Sequence, residues 1–170
     1  MFLDRVPYRN LQWLPFCCLL LHNAEEAWTF AAYRQPSEDL LREFMPARVP
    51  AHLPSVAQFR TALVVATLVP FVLTFIATRA PATALKNYLV AMLAAILLVN
   101  VFLPHLPAAI AMGGYSPGVV TAVLLNLPAC AYFLFRSLRE KRISRKGLAA
   151  LFVAAIVALV LGLPLVWLSL

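Results

Sequence analysis

His22, Glu25 and Glu26 stand inside LLLHNAEEAWTF, residues 19–30, an otherwise apolar run. At about 100° per residue, helix positions i, i+3 and i+4 share one face. The three side chains therefore project together, with Cys18 one turn below His22. If the run crosses a membrane, each ionisable group costs about 2.5 to 3.5 kcal/mol on the insertion scale for Asp, Lys and Arg, and such groups usually face the protein interior and serve a function. No Lys or Arg inside an apolar run neutralises the two glutamates. They must share or retain a proton, bind a cation, or lie near water. A bare carboxylate pair gives no stability that apolar residues would not, so function is the reason for it.

Partners occur downstream. His105 is the other histidine within an apolar run, and Asn100 and Asn126 sit near the middle of theirs. Pro104 cannot donate to the carbonyl of Asn100, nor Pro128 to that of Leu124, which leaves backbone acceptors and kinks beside polar side chains. Imidazole and carboxylate are the ligands that borderline cations prefer. His22, Glu25, Glu26 and His105 are thus the expected metal ligands, for zinc first and iron or manganese next. Glu25, Glu26, Asn100 and Asn126 are the expected catalytic groups, although each asparagine could equally serve as a hydrogen bond between helices. Cys18 and Cys130 either line the inner rim or pack as small apolar groups. Trp28 and Tyr115 read as interfacial aromatics.

The elements that must position these residues are membrane helices. Hydrophobic residues make up 63% of the chain and charged ones 12%, with a mean hydropathy of +0.85, beyond what a soluble domain carries. Stretches between charges long enough to cross a bilayer, about 20 residues, fall near 11–33, 61–79, 86–112, 117–136 and 147–169. GGYSPG at 113–118 divides the third from the fourth. The fold class is all-α: a polytopic membrane protein, a bundle of five transmembrane helices forming one domain over residues 1–170. A short interfacial helix is expected in the first loop, where Ser37 would cap SEDLLREFM and Leu40, Leu41, Phe44 and Met45 would form an apolar stripe. His52, further along that loop, reads as solvated.

The net charge of +7 comes from basic residues confined between apolar runs, which orients a membrane protein and does not suggest nucleic acid. Ten of the fourteen Lys and Arg fall at the N-terminus and in the second and fourth loops, and the first loop holds Arg34, Arg42, Arg48 and Arg60. The expectation is a cytoplasmic N-terminus and an external C-terminus. The three cysteines have no metal-finger or disulfide spacing. HNAEE stands where a signal peptide would show a small-residue cleavage site, so the first span is expected to be retained.

His22-Asn23-Ala24-Glu25-Glu26, followed by His105, by Tyr115-Ser116-Pro117-Gly118, and by Thr121 and Pro128, resembles the HXXEE-motif family of small bacterial membrane proteins. The likeness covers most of the chain. The family is named for its motif and not for an activity, so the resemblance implies which residues matter and not what they do.

Three functions follow from the residues. One is a membrane-embedded metalloenzyme, hydrolytic, acting on a lipid or other apolar substrate. In it His22, His105 and one glutamate hold the metal while the other glutamate moves protons, and the cation offsets the buried charge. Another is metal-free acid/base chemistry, an isomerase or cyclase whose adjacent glutamates titrate apart. The third is a proton or cation carrier. Five spans without a repeat argue mildly against it, though a homodimer would supply symmetry.

Overall fold

The computed structural model describes residues 2–44 and 54–169, with side chains for 4–43 and 54–161. Met45, Pro46, Pro50 and His52 of the first loop lie outside the described residues. After short turns at Phe2–Arg5 and Tyr8–Leu11, five long helices follow: α1, Leu14–Phe44; α2, Val56–Ala77; α3, Ala84–Ala111; α4, Val119–Arg139; and α5, Arg145–Ser169. Among the described residues there is no strand.

Local chemistry sets the starts. Ser55 and Gln58 form a reciprocal cap at α2, with Gln58 N–H donating to Ser55 Oγ at 3.2 Å and Ser55 N–H to Gln58 Oε1 at 2.9 Å. Thr83 Oγ1 accepts from Lys86 N–H at 3.3 Å at the start of α3. Gly118, at φ +82°, turns the chain into α4 through a conformation that costs glycine nothing.

α3 is the hub, packed against each of the other four helices. Its Ala91, Ala94 and Ala95 are fully buried, as is Ala155 of α5, and such small residues let membrane helices approach closely. The core around α3 is apolar, with Leu97, Val90, Phe133 and the Cys18–Cys130 pair buried. Among the described residues, α2, α3 and α4 are long and apolar enough to cross a membrane; 6% of the α2 window is buried against 50% for α3. α2 packs on α1 and α3 along one side and leaves most of its apolar side chains exposed or half-exposed, as a helix facing lipid would.

One expectation for the first loop is corrected. A separate interfacial helix capped by Ser37 does not form, because α1 continues unbroken through Pro36 to Phe44. Proline removes only one donor, that toward Ala32. The following turns are tied by i,i+4 pairs, Gln35 to Asp39 at 3.0 Å and Arg42 to Glu38 at 2.7 Å. The apolar stripe at Leu40 and Leu41 belongs to the same helix as the motif. At 1.5 Å per residue these 31 residues span about 46 Å, more than the hydrocarbon thickness.

α3 and α4 share an irregularity. Val101–His105 and Ala122–Asn126 are π-helical turns, with Leu106 N–H donating to Val101 O and Leu127 N–H to Ala122 O. The first contains Pro104 and the second ends two residues before Pro128, prolines with no N–H to give, and π turns accommodate such gaps in the helical ladder.

Candidate functional site

The π turn of α3 decides which residues meet. Five positions along a regular α-helix turn a side chain about 140° away, so His105 would point elsewhere than Asn100. The extra residue in the turn rotates it back, and Asn100 Nδ2 donates to His105 Nε2 at 3.0 Å. The same amide donates to His22 Nε2 of α1 at 3.3 Å. Glu26, one helical turn above His22, brings Oε1 to 3.7 Å from His22 Nε2 and 3.6 Å from His105 Nε2. The imidazoles meet edge to face with centroids 4.6 Å apart. His22, Glu26 and His105 thus offer one ligand atom each, all within 4.8 Å of one another.

A roof closes this cluster. A Cβ on Gly118 would lie 2.7 Å from His22 Cε1, 2.8 Å from His105 Cε1 and 2.9 Å from Glu26 Cγ. Only glycine fits, on grounds of space as well as of φ. The histidines are 2% and 5% exposed, while the Glu26 side chain is 17% exposed and is the way in.

Glu25 goes elsewhere. Tyr115 OH donates to its Oε1 at 2.9 Å and Val120 N–H to the same oxygen at 3.2 Å. Oε2 accepts from Thr121 N–H at 2.7 Å and from Thr121 Oγ1 at 2.6 Å. All four donors lie in or beside the start of α4, where backbone N–H groups lack helical partners and favour an anion. Among the described residues no Lys or Arg pairs with either glutamate. Oriented neutral donors take the place of a counter-ion for Glu25.

Thr121 joins the two halves. Its hydroxyl has one hydrogen, given to Glu25 Oε2 or to Gly118 O at 3.2 Å. His22 Nδ1, 3.0 Å from the same oxygen, must therefore be the donor of that bond, which makes His22 the Nδ1–H tautomer with its Nε2 lone pair turned into the cluster. Asn100, as a donor to both Nε2 atoms, requires the same of His105. The chain Glu25–Thr121–His22 is how a carboxylate usually fixes a histidine that binds metal or protons.

Of the expected site residues, His22, Glu26, His105 and Asn100 are brought together. Glu25 contacts the α4 turn, outside the ligand group of His22, Glu26 and His105. Asn126 is fully buried in the second π turn, its Oδ1 and Nδ2 without a hydrogen-bond partner among the described residues. Cys18 and Cys130 are free thiols, both buried in the same apolar core. Trp28 is 85% exposed, as an interfacial aromatic would be. Tyr115 is not merely that, since its hydroxyl reaches Glu25. As site residues, Gly118 and Thr121 are marked in the sequence only through the family resemblance, with no role, and the Val120 amide not at all; the signal was the Tyr-x-Pro-Gly turn, which sets a helix N-terminus opposite Glu25.

A family described as "Protein of unknown function with HXXEE motif" matches residues 13–133, a stretch that contains every residue of the cluster. The "Uncharacterized protein YrkK" of Bacillus subtilis (strain 168) is 25% identical over 153 residues, 89% of this chain and 90% of that protein. No solved structure matches the chain significantly.

Proposed function

The chain belongs to the HXXEE-motif family, and from that premise we propose that it is a membrane-embedded, metal-dependent hydrolase of a lipid or other apolar substrate, with the cation held by His22, Glu26 and His105. The observation that carries this reading is the ligand spacing. Bonds of about 2.1 Å to a tetrahedral centre set neighbouring ligand atoms about 3.4 Å apart, and Glu26 Oε1 lies 3.7 and 3.6 Å from the two Nε2 atoms. Zinc suits two imidazoles and a carboxylate, with iron or manganese next. When bound, such a cation supplies a water that ionises near neutral pH. Glu25 holds His22 in the correct tautomer through Thr121, and Gly118 excludes bulk water from above. Asn100 would turn its Oδ1 inward to free both Nε2 atoms.

Five transmembrane helices complete this reading, α1 and α5 joining the three apolar ones, in the bacterial cytoplasmic membrane. The basic residues near the start of α1, in the α2–α3 turn and between α4 and α5 favour the cytoplasm for that end. A reporter active only in the cytoplasm, fused after Leu170, should stay silent; strong activity would reverse the orientation.

One observation favours a second reading. Asn100 Nδ2 donates to both Nε2 atoms and holds two neutral imidazoles beside a carboxylate, an arrangement suited to metal-free proton transfer. The two readings separate on metal content. The protein is purified without chelator or polyhistidine tag, and metal per chain is measured for wild type, His105→Ala and Glu26→Gln. About one metal per wild-type chain, lost in both variants, is expected. Substoichiometric metal in the wild type, or metal that survives both changes, removes the centre and leaves acid/base chemistry.

A further inference from the structure

The end of the molecule opposite the glutamates carries a different kind of site. Where the start of α1 meets the α2–α3 turn, two adjoining cavities of about 360 and 320 Å³ share Arg9, Thr78 and Arg79 in their walls. All seven acidic residues of the chain are described, and neither Arg9 nor Arg79 meets any of them. Asp4 takes Arg139 at 2.8 Å, and Glu140 takes Arg136 at 2.6 Å and Arg142 at 3.5 Å. Arg9 and Arg79 thus line one volume with no carboxylate partner among the described residues, the Arg79 guanidinium lying 4.2 Å over the Phe75 ring, while the carbonyls of Arg79 and Pro81 are already engaged by Lys86 Nζ at 2.7 and 2.9 Å. Asn10 lines the first cavity and Gln12 and Asn87 the second, adding amide donors. Trp13 and Phe75 give the first cavity an apolar flank.

We propose that Arg9 and Arg79 bind a phosphate group, carried by the headgroup of an anionic phospholipid. Guanidinium forks match phosphate oxygens in geometry as well as in charge. Basic pockets between transmembrane helices at the membrane surface take lipid headgroups, and Trp13 and Phe75 are placed to meet the apolar part of the same molecule. This site is independent of the metal reading: it shares no residue with the His/Glu cluster and requires only that the helices lie in a bilayer.

The full chain in uncharged detergent is exposed to equal amounts of phosphatidylglycerol and phosphatidylcholine, and retained lipid is counted by native mass spectrometry. Wild type should keep phosphatidylglycerol roughly tenfold better, and Arg9→Gln/Arg79→Gln should erase the preference. Arg5→Gln removes a charge outside both cavities and should change it little; an equal loss there means general charge attraction and overturns the site. Asn10→Asp places an anion beside the arginines without removing them, so it reads the same site if the double variant fails to fold. An unchanged preference in Asn10→Asp or in the folded double variant overturns the proposal. If millimolar inorganic phosphate displaces the lipid and raises the unfolding temperature as much as the lipid does, the phosphate site stands and the lipid source falls.

Discussion

The turn that receives Glu25 and the bowl that receives Glu26 flank a single residue step of α1, and they are built from different materials. Glu25 meets four donors, two of them backbone N–H groups at the start of α4. Glu26 meets two imidazole nitrogens at 3.6 and 3.7 Å and no hydrogen-bond donor at shorter range among the described residues. One carboxylate is satisfied by the fold as it stands; the other has no hydrogen-bond donor among the described residues, which is what the proposed metal or proton site requires. On the proposed function, adjacent residues of the same type divide the work, the first holding geometry through Thr121 and the second facing the chemistry. The mutational consequences should divide in the same way.

The roof common to both regions should be the most sensitive position. Gly118→Ala must place a Cβ 2.7 to 2.9 Å from two ring carbons and Glu26 Cγ, at φ +82°. Backbone strain of about 1–3 kcal/mol adds to overpacking of about 1–3 kcal/mol, and neither ring has a flexible end that can swing clear. A loss of about 3 kcal/mol or more is expected in detergent unfolding, with the imidazole pair forced apart. Stability within about 0.5 kcal/mol of wild type would mean that the turn does not close the bowl.

The two glutamates themselves come next. Glu25→Gln keeps the shape but turns an NH2 toward two of the four donors, which should cost about 2–3 kcal/mol. Glu26→Gln removes a poorly solvated carboxylate with no bonds to lose, so stability should stay level or rise while metal retention falls. Unfolding of both variants in the same detergent checks the order. If Glu26→Gln proves the more destabilising, the division of roles is reversed and Glu26 is the structural member.

Much of this was legible in the sequence, for identifiable reasons. The i, i+3, i+4 spacing placed His22, Glu25 and Glu26 on one side of α1, and the absence of charge from Asn87 to Phe135 marked two long apolar helices with a glycine- and proline-rich turn between them. What spacing could not show was the extra residue that a π turn adds to each of these helices. A regular α3 turns His105 away from Asn100, so their contact depends on a π turn that periodicity does not register. Tyr115, Val120 and Thr121 were hidden for a related reason. They act through a helix start, and the backbone N–H groups that bind Glu25 have no signature in side-chain types. The unbroken run of α1 through Pro36 likewise follows from the tolerance of an exposed helix for one missing bond.

Asn126 and His105 show a smaller contrast of the same kind. Asn126 occupies in the second π turn the place that His105 holds in the first, the last residue of each, yet His105 is engaged through Nε2 and Asn126 is buried with both side-chain atoms unpaired. Burying an amide without a bond costs about 1–3 kcal/mol on mutational scales. Asn126→Leu keeps a branched side chain, removes that penalty and gains apolar burial, though the larger side chain returns some of it as crowding. The net expectation is stabilisation by about 1 kcal/mol, with metal content unchanged, read from unfolding and metal per chain on one preparation. A loss of about 1 kcal/mol or more accompanied by a loss of metal would show that the amide is satisfied by something belonging to the site. Asn126 would then rank with Asn100 as a working residue, and the second π turn would exist, like the first, to turn a polar side chain toward the bowl.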